Sequence, residues 1–129
     1  MIYGIGTDIV DIKRIAHILK KNREGFVKRV LTEHEQLLFA NKADSPAFFA
    51  KRFAAKEAFS KALGTGFRFD LNFKDIEVFN DKMGKPYYVK NKKITKIVQK
   101  KYKVKNFNCF LSISDEKDYS TAFAIIQSK

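Results

Sequence analysis

The segment 45–64 constrains the fold most strongly, because it predicts a long helix with a defined beginning and end. Ser45 can cap the helix, Pro46 suits its first position, and Gly64 is a typical residue just beyond the last turn. Between these boundaries, alanine and phenylalanine are denser than a helix with one solvent-exposed face requires. We therefore expect other parts of the chain to pack on more than one side of this helix.

The remaining segments predict an α+β fold, with one strand, then helices, then a run of strands. Residues 2–10 form the predicted first strand, in which Gly4 and Gly6 allow another element to approach the backbone closely. Asp11 can cap the helix that follows, and a capping box at 32–35 opens another. Further helices are predicted at 26–30 and around 94–98, strands at 73–79, 87–89, 107–114 and 119–126, and a turn at 80–86.

Length and composition predict a single domain spanning residues 1–129, located in the cytoplasm. The chain is 45% hydrophobic and contains thirteen phenylalanines, which excludes a disordered protein. No apolar run approaches the ~20 residues that a membrane-spanning helix needs, and the first residues lack the layout of a secretory signal. The one cysteine, Cys109, permits neither an internal disulfide nor a cysteine-based metal site, and its apolar neighbours favour an unreactive thiol.

The formal charge of +12 has two interpretations. The first is a solvated lysine surface, because lysines outnumber arginines 21 to 5 and no acid occurs between Lys82 and Ser114. The second is a surface that attracts a polyanion, such as a nucleotide cofactor, an acidic protein or a nucleic acid. A basic nucleic-acid-binding module is therefore the alternative function, although the chain lacks the arginine-rich or aromatic-interleaved signatures of that class.

Two carboxylates, Asp8 and Glu57, are candidates for a magnesium site. Asp8 lies in an apolar strand, where an unpaired acid is costly, and Asp11 is better placed as the helix cap. Glu57 lies on the long helix among four cations: Lys51, Arg52, Lys56 and Lys61. Mg²⁺ takes one or two carboxylates together with phosphates and waters. The alternatives are a local turn cap for Asp8 and a surface i,i+4 pair with Lys61 for Glu57.

Shorter signals carry little weight alone. Residues 64–66 do not form a Walker loop, because no Gly-Lys-Ser/Thr follows, and residues 4–6 lack the third glycine of a dinucleotide fingerprint. His17 and His34 suit surface or capping positions, and no Ser/His/Asp set emerges. Residues 84–86 have the composition of a turn.

Two long motifs, residues 4–15 and 52–66, closely resemble the small, stand-alone type of 4′-phosphopantetheinyl transferase, the holo-[acyl-carrier-protein] synthases. The likeness extends through residues 79–81, 84–86 and 111–115, so it covers nearly the whole chain. It implies an antiparallel sheet packed with a long helix, and a homotrimer with its active sites between subunits. No nucleic acid and no membrane is implied as a partner.

The implied activity is Mg²⁺-dependent transfer of 4′-phosphopantetheine from coenzyme A to a serine of apo acyl carrier protein, which serves fatty acid biosynthesis. Adenosine 3′,5′-bisphosphate is the by-product. Negative charge must be stabilised on both the attacking and the leaving side of the phosphorus, which suits a metal ion and a lysine. The acceptor of the serine proton is open between a metal-bound water and Glu57.

The resemblance assigns roles residue by residue. Asp8 and Glu57 would bind Mg²⁺, Lys61 would contact the pyrophosphate, and these three would form the catalytic group. The residues expected around the coenzyme are Arg52, Phe53, Ser60, Lys61, Gly64, Lys85, Pro86 and Ser112. The basic first helix would dock the acidic recognition helix of the carrier protein through Arg14, Lys21 and Lys28.

The chain departs from its relatives near the last motif. Many of them carry a histidine two residues before the position of Ser112, and some carry another three residues after it. Here these positions hold Phe110 and Asp115. Phe110 removes a polar group expected near the coenzyme, so the contacts to the adenine or the 3′-phosphate are expected to differ, whereas the predicted metal ligands and Lys61 are all present.

Overall fold

The computed structural model describes every residue from Met1 to Lys129 and confirms the α+β class. No helix in it is both long enough and apolar enough to cross a membrane. In chain order the elements are β1 (Ile2–Asp11), α1 (Ile12–Val30), α2 (Glu33–Asn41), α3 (Pro46–Leu63), β2 (Val78–Asn80), β3 (Pro86–Tyr88), α4 (Lys92–Tyr102), β4 (Phe107–Asp115) and β5 (Tyr119–Ser128).

A three-stranded antiparallel sheet with the order β1-β5-β4 forms the largest layer, and a separate hairpin joins β2 to β3. The strand register pairs Gly6 with Ala124 and Ala124 with Leu111, so these residues form one row across the sheet. All three are buried, because α3 packs against this face. The expected long helix packed on more than one side is therefore confirmed, since α1 packs against α3 as well.

Two glycines of β1 allow α3 to lie directly on the sheet. A Cβ atom added to Gly6 would lie 1.9 Å from the carbonyl oxygen of Ala58, and one added to Gly4 would lie 1.9 Å from that of Ala62. Both contacts are with helix backbone, which cannot yield as a side chain can. The predicted close approach is confirmed, and it brings the middle of β1 within side-chain reach of the last turns of α3.

The helix boundaries follow the capping residues in the sequence. Asp11 accepts a hydrogen bond from the Lys13 amide at 2.9 Å, and Ser45 accepts one from the Phe48 amide at 3.3 Å. Gly64 ends α3 in the left-handed region, with φ 78°. The capping box at 32–35 is present as well. Local hydrogen bonding therefore sets these boundaries.

Helix α1 is interrupted at Asn22, which has φ −148° and ψ 66°. The Asn22 side chain accepts a weak hydrogen bond from the Gly25 amide at 3.3 Å, as a helix cap would. The short helix predicted at 26–30 is thus the second half of α1.

The strand predicted at 73–79 is wrong over most of its length. Phe73–Asp75 is a short 3-10 helix, and only Val78–Asn80 is extended. The Asn72 amide donates to the Asp75 carboxylate at 2.8 Å, and the Phe73 ring stacks on Phe67 with 3.9 Å between centroids. These tertiary and capping contacts override the strand propensity of the segment. The returning strand, predicted at 87–89, begins one residue earlier at Pro86.

A polar network inside the core connects α3 to α2. Lys56 and Glu35 are both fully buried. The Lys56 ammonium donates to the Glu35 carboxylate at 2.5 Å and to the carbonyl oxygen of Val30 at 2.6 Å. Burial lowers the Lys56 pKa, and the neighbouring Glu35 opposes that effect. Lys56, one of the four cations near Glu57 on this helix, therefore lies inside the core and does not face solvent.

The sheet face opposite α3 is apolar and exposed. Ile5 and Ile9 of β1 are 57% and 65% exposed, and Phe110 and Phe123 on the other two strands are 44% and 39% exposed. These residues alternate with those that face α3, as the two-residue period of a strand requires. Large exposed apolar side chains clustered on one sheet face mark an interaction surface.

Candidate active site

Asp8, Glu57 and Lys61 converge where β1 crosses the C-terminal half of α3. Asp8 occupies the β1 face that also carries Gly6 and Val10, whereas Glu57 and Lys61 are one turn apart on α3. The Lys61 ammonium contacts an Asp8 carboxylate oxygen at 3.1 Å. Two elements that are distant in sequence thus bring together the three residues predicted to be catalytic.

The two carboxylates have raised pKa values for related reasons. Burial raises the Asp8 pKa, and the hydrogen bond and charge of Lys61 oppose that effect. Burial also raises the Glu57 pKa, the negative charge of Asp8 raises it further, and Lys61 lowers it. Two half-buried acids that repel each other hold a negative potential that a cation would relieve.

The local explanations of these acids fail in the structure. Asp11, not Asp8, caps α1. Lys61 pairs with Asp8 across two elements, and no Glu57–Lys61 ion pair forms on the helix. Asp8 is therefore not a helix cap, and Glu57 is not half of a surface ion pair with Lys61.

A groove of about 540 Å³ runs from this cluster along the inner side of α1. Arg14, Phe53 and Glu57 line it, together with Arg29, to which the sequence analysis assigned no role. Two acids, Asp8 and Asp11, and seven apolar residues complete its walls: Ile9, Val10, Ile15, Ile18, Phe26, Phe67 and Phe73. Arg14 therefore lies at the same groove as the acids.

The other two residues predicted for carrier docking are on the α1 surface. Lys21 and Lys28 are both exposed, and the kink at Asn22 separates them. Lys28 pairs with Glu24 at 2.8 Å, which already neutralises part of its charge. Arg14 and Lys21 are the docking candidates without an ion-pair partner in the structure.

A second cavity, of about 630 Å³, lies beside the N-terminal half of α3 and contains Arg52 and Pro86. Arg52 is only 3% exposed, yet it lines this cavity, and its guanidinium lies 4.5 Å from the centre of the Phe48 ring. Lys42 and Lys51 also line it. The sequence analysis did not identify Lys42. The one sequence feature that could have indicated it is its positive charge just after the end of α2.

His34 lies at the same cavity and packs edge-on against Phe79. It is exposed, so the predicted surface position is confirmed. Cys109, by contrast, lies in β4 on the same face as Phe107 and Leu111, and burial raises the pKa of its thiol to about 11. That pKa agrees with the unreactive thiol predicted for it.

Ser112 connects the two groups of predicted residues along the exposed sheet face. It lines one shallow groove with Asp8 and Lys61, and another with Lys85, Pro86 and Phe110. Phe110 therefore lies beside Lys85 and Pro86, in the region where a polar group was expected from the relatives.

In one copy of the chain, the cavity that contains Arg52 is separate from the groove that contains Asp8 and Glu57. The cavity that contains Arg52 and Pro86 includes none of Asp8, Glu57 and Lys61. Arg52 and Glu57 are five positions apart on α3, about 140° around the helix, so they face different neighbours. Helix α3 thus separates Arg52 and its cavity from the predicted metal ligands, whereas Phe53 and Ser112 share grooves with Asp8.

Two further residues predicted around the coenzyme have defined positions. Ser60 is fully buried, and its hydroxyl donates to the Glu57 carbonyl oxygen at 2.7 Å. Its side chain thus supports the helix turn that carries Glu57, and its place around the coenzyme stays a prediction. Gly64 is exposed at the end of α3, where its backbone is accessible to a ligand.

The donor set fits Mg²⁺ better than a transition metal. No group of three or more His, Cys, Asp or Glu side chains is arranged to hold a metal ion. Two carboxylates with no imidazole or thiolate nearby suit a hard cation that keeps waters or phosphate oxygens as its other ligands. The contact of Asp8 with the Lys61 ammonium indicates that positive charge is favoured here.

Two relatives that align over nearly the whole chain carry the same name. The holo-[acyl-carrier-protein] synthase of Pelagibacter ubique is 57% identical over 128 residues, covering 99% of this chain and 98% of the relative. That of Ruthia magnifica is 53% identical over 130 residues, covering 100% and 99%.

Solved structures give the same result for the fold. The holo-[acyl-carrier-protein] synthase of Neisseria meningitidis matches with a TM-score of 0.88 and 41% identity, covering 99% of this chain and all of that one. The Bacillus anthracis synthase, solved in complex with CoA (3′,5′-ADP), matches with a TM-score of 0.81 and 37% identity, covering 100% and 99%. The family model described as the 4′-phosphopantetheinyl transferase superfamily matches residues 4–124. Since this match spans the acids, Lys61 and both cavities, the chain belongs to the 4′-phosphopantetheinyl transferase superfamily.

Proposed function

We infer that this enzyme transfers the 4′-phosphopantetheinyl group of coenzyme A to a serine hydroxyl of apo acyl carrier protein. The serine oxygen forms a new bond to the β-phosphorus, the bridging P–O bond breaks, and adenosine 3′,5′-bisphosphate leaves. The observation that carries this function is the convergence of Asp8, Glu57 and Lys61 in a chain whose full-length relatives are holo-[acyl-carrier-protein] synthases. The alternative of a nucleic-acid-binding module is not supported.

Asp8 and Glu57 are the residues proposed to hold Mg²⁺. When bound, the ion would stabilise the negative charge on the pyrophosphate oxygens. Lys61 is exposed enough to turn from Asp8 toward the pyrophosphate, where its ammonium would offset charge on the leaving side. Glu57 is a candidate acceptor of the serine proton because it lies beside Asp8 and Lys61 in the cluster.

Mass spectrometry tests the reaction directly. The purified protein is incubated with coenzyme A, MgCl₂ and an apo acyl carrier protein, and the carrier is expected to gain the mass of the phosphopantetheine arm. A carrier whose acceptor serine is replaced by alanine is the control, and it should gain nothing. No mass gain on the intact carrier, from a folded enzyme, would reject the function.

A homotrimer is the proposed assembly, for two reasons. The exposed apolar residues Ile5, Ile9 and Phe123 share one sheet face, and a second copy of the chain carries the same surface. The two predicted halves of the site also lie on different sides of α3, so subunits arranged in a ring could each supply one half.

The cytoplasmic location and the role in fatty acid biosynthesis stay predictions.

Light scattering tests the assembly. The mass in solution is expected to be three times the 14.9-kDa chain. Phe123→Lys, which places a charge in the centre of the apolar face, is expected to lower the mass and the activity together. An active monomer of the parent chain would contradict the proposal.

Charge reversal on α1 tests the carrier-docking surface. In the Arg14→Glu/Lys21→Glu variant, the KM for the carrier is expected to rise by about tenfold or more, because attraction to an acidic helix becomes repulsion. The parent enzyme should lose carrier affinity as salt rises, and the variant should respond less. Steady-state kinetics at several salt concentrations measure both effects.

A variant with the same change in net charge elsewhere provides the matched control. Lys100 and Lys105 are exposed lysines in and just beyond α4, away from the groove that contains Arg14. Lys100→Glu/Lys105→Glu should leave the carrier KM within about twofold of the parent value. If both double variants behave alike, overall charge and not α1 determines carrier binding.

A further inference from the structure

Asn80, the last residue of β2, links two elements that line the Arg52 cavity. Its side-chain oxygen accepts a hydrogen bond from Arg52 Nη2 at 3.1 Å. Its side-chain nitrogen donates to the carbonyl oxygen of Gly84 at 2.9 Å. One amide group therefore connects helix α3 to the turn that leads into Lys85 and Pro86.

The turn itself is held together by Asp81. An Asp81 carboxylate oxygen accepts hydrogen bonds from the amides of Met83 and Lys85, both at 2.9 Å. Gly84 has φ 89°, which permits the tight return of the chain. The turn is thus an internally bonded unit, and the Asn80–Gly84 bond ties it to Arg52.

Arg52 depends on Asn80 for the orientation of its guanidinium. Its Nε makes no hydrogen bond, and the nearest carboxylate oxygen, on Glu35, lies 3.6 Å away. The Phe48 ring contacts the flat face of the group but does not select a rotation within its plane. The hydrogen bond to Asn80 provides that selection, together with the buried ion pair to Glu35.

We propose that Asn80 is a positioning residue for coenzyme A, holding Arg52 and the turn before Pro86 in one hydrogen-bonded unit. The proposal rests on the function inferred above, because it concerns the cavity expected to bind the nucleotide part of the coenzyme. A cavity whose cation and turn are ordered before binding loses less conformational entropy when the ligand arrives. Asparagine suits the task because it offers one acceptor and one donor on a short side chain.

Asn80 can be replaced while the protein stays folded, so the proposal can be tested by mutation. Asn80 is exposed, so Asn80→Ala removes two hydrogen bonds and opens no cavity in the core. The dissociation constant of coenzyme A, measured by calorimetry without carrier, is expected to rise roughly tenfold. The KM for coenzyme A should rise in parallel, whereas kcat and the carrier KM should change by less than about twofold.

A double-mutant cycle with Arg52 tests the route of the effect. If Asn80 acts through Arg52, Asn80→Ala should weaken coenzyme binding by less than about threefold in the Arg52→Ala background. Asn106→Ala provides the matched control, because Asn106 is exposed and makes no side-chain hydrogen bond. It should bind coenzyme A as the parent does.

Each outcome decides the proposal. Coenzyme affinity within twofold of the parent value in Asn80→Ala overturns it, and equal effects in the presence and absence of Arg52 overturn the route through Arg52. Equal losses for coenzyme and carrier would indicate a general structural defect, and would also overturn it. Failure of the inferred function looks different, because the parent protein itself would then neither bind coenzyme A nor modify the carrier.

Discussion

Replacing Asp8 or Glu57 by alanine is expected to lower turnover by about a thousandfold or more while the chain stays folded. The size follows from the several kcal/mol by which a metal ion can stabilise the charge on a transferring phosphoryl group. The fold should survive because both acids are only half-buried and repel each other. Removal of Glu57 relieves that repulsion, so the melting temperature of the metal-free protein should stay constant or rise.

Two measurements separate this role from a structural one. Turnover is followed by mass spectrometry of the carrier as Mg²⁺ is titrated, and folding is followed by circular dichroism during thermal unfolding. Glu116→Ala removes an exposed acid from the turn between β4 and β5, and it should behave as the parent in both assays. Near-normal Mg²⁺-dependent turnover in either site variant would contradict the metal assignment.

The largest expected loss of stability comes from Glu35→Ala. Glu35 accepts hydrogen bonds from Lys56, from the Thr32 amide and from the Val78 amide, so it joins α2, α3 and β2. Without it, the Lys56 charge stays buried with no acid directly bonded to it, which typically costs about 3–5 kcal/mol. Because single domains are stable by only about 5–15 kcal/mol, a large fraction of the total would be lost.

Urea unfolding at a fixed protein concentration measures this loss, since subunit association would otherwise change the apparent stability. Glu33→Ala is the control: Glu33 lies in the same first turn of α2 but is exposed. Its effect should stay below about 1 kcal/mol. A Glu35→Met/Lys56→Met variant should recover part of the loss, because it removes both buried charges together. A small effect of Glu35→Ala would show that Lys56 is stabilised in another way.

The capping box illustrates how a local signal can be correct and incomplete. Thr32 and Glu35 were predicted to open a helix, and both hydrogen bonds of the box are present. The same Glu35 carboxylate also neutralises Lys56, which comes from a helix that begins about ten residues later. Capping depends on residues within one turn, whereas the ion pair depends on how α2 packs against α3.

Recognition of the candidate site from sequence depended on the motifs and not on periodicity. Asp8 and Glu57 each had a credible local explanation, and only the resemblance chose the metal site over both. The structure removes both local explanations, because Asp11 caps α1 and Lys61 pairs with Asp8. Lys42 had no such signal, and Arg29 and Asn80 had no role assigned to them, because each lines its cavity only after separate elements have packed.

The sequence by itself determined the boundaries of α3, the glycines on which it lies and the family to which the chain belongs. These properties reside in neighbouring residues: a cap, a proline, a left-handed glycine and two uninterrupted motifs. Only the tertiary structure decided that Lys56 is internal, that residues 73–75 are not a strand, and that α3 separates the two main cavities. The physical reason is that burial and cavity shape arise from contacts between distant segments, which no local pattern records.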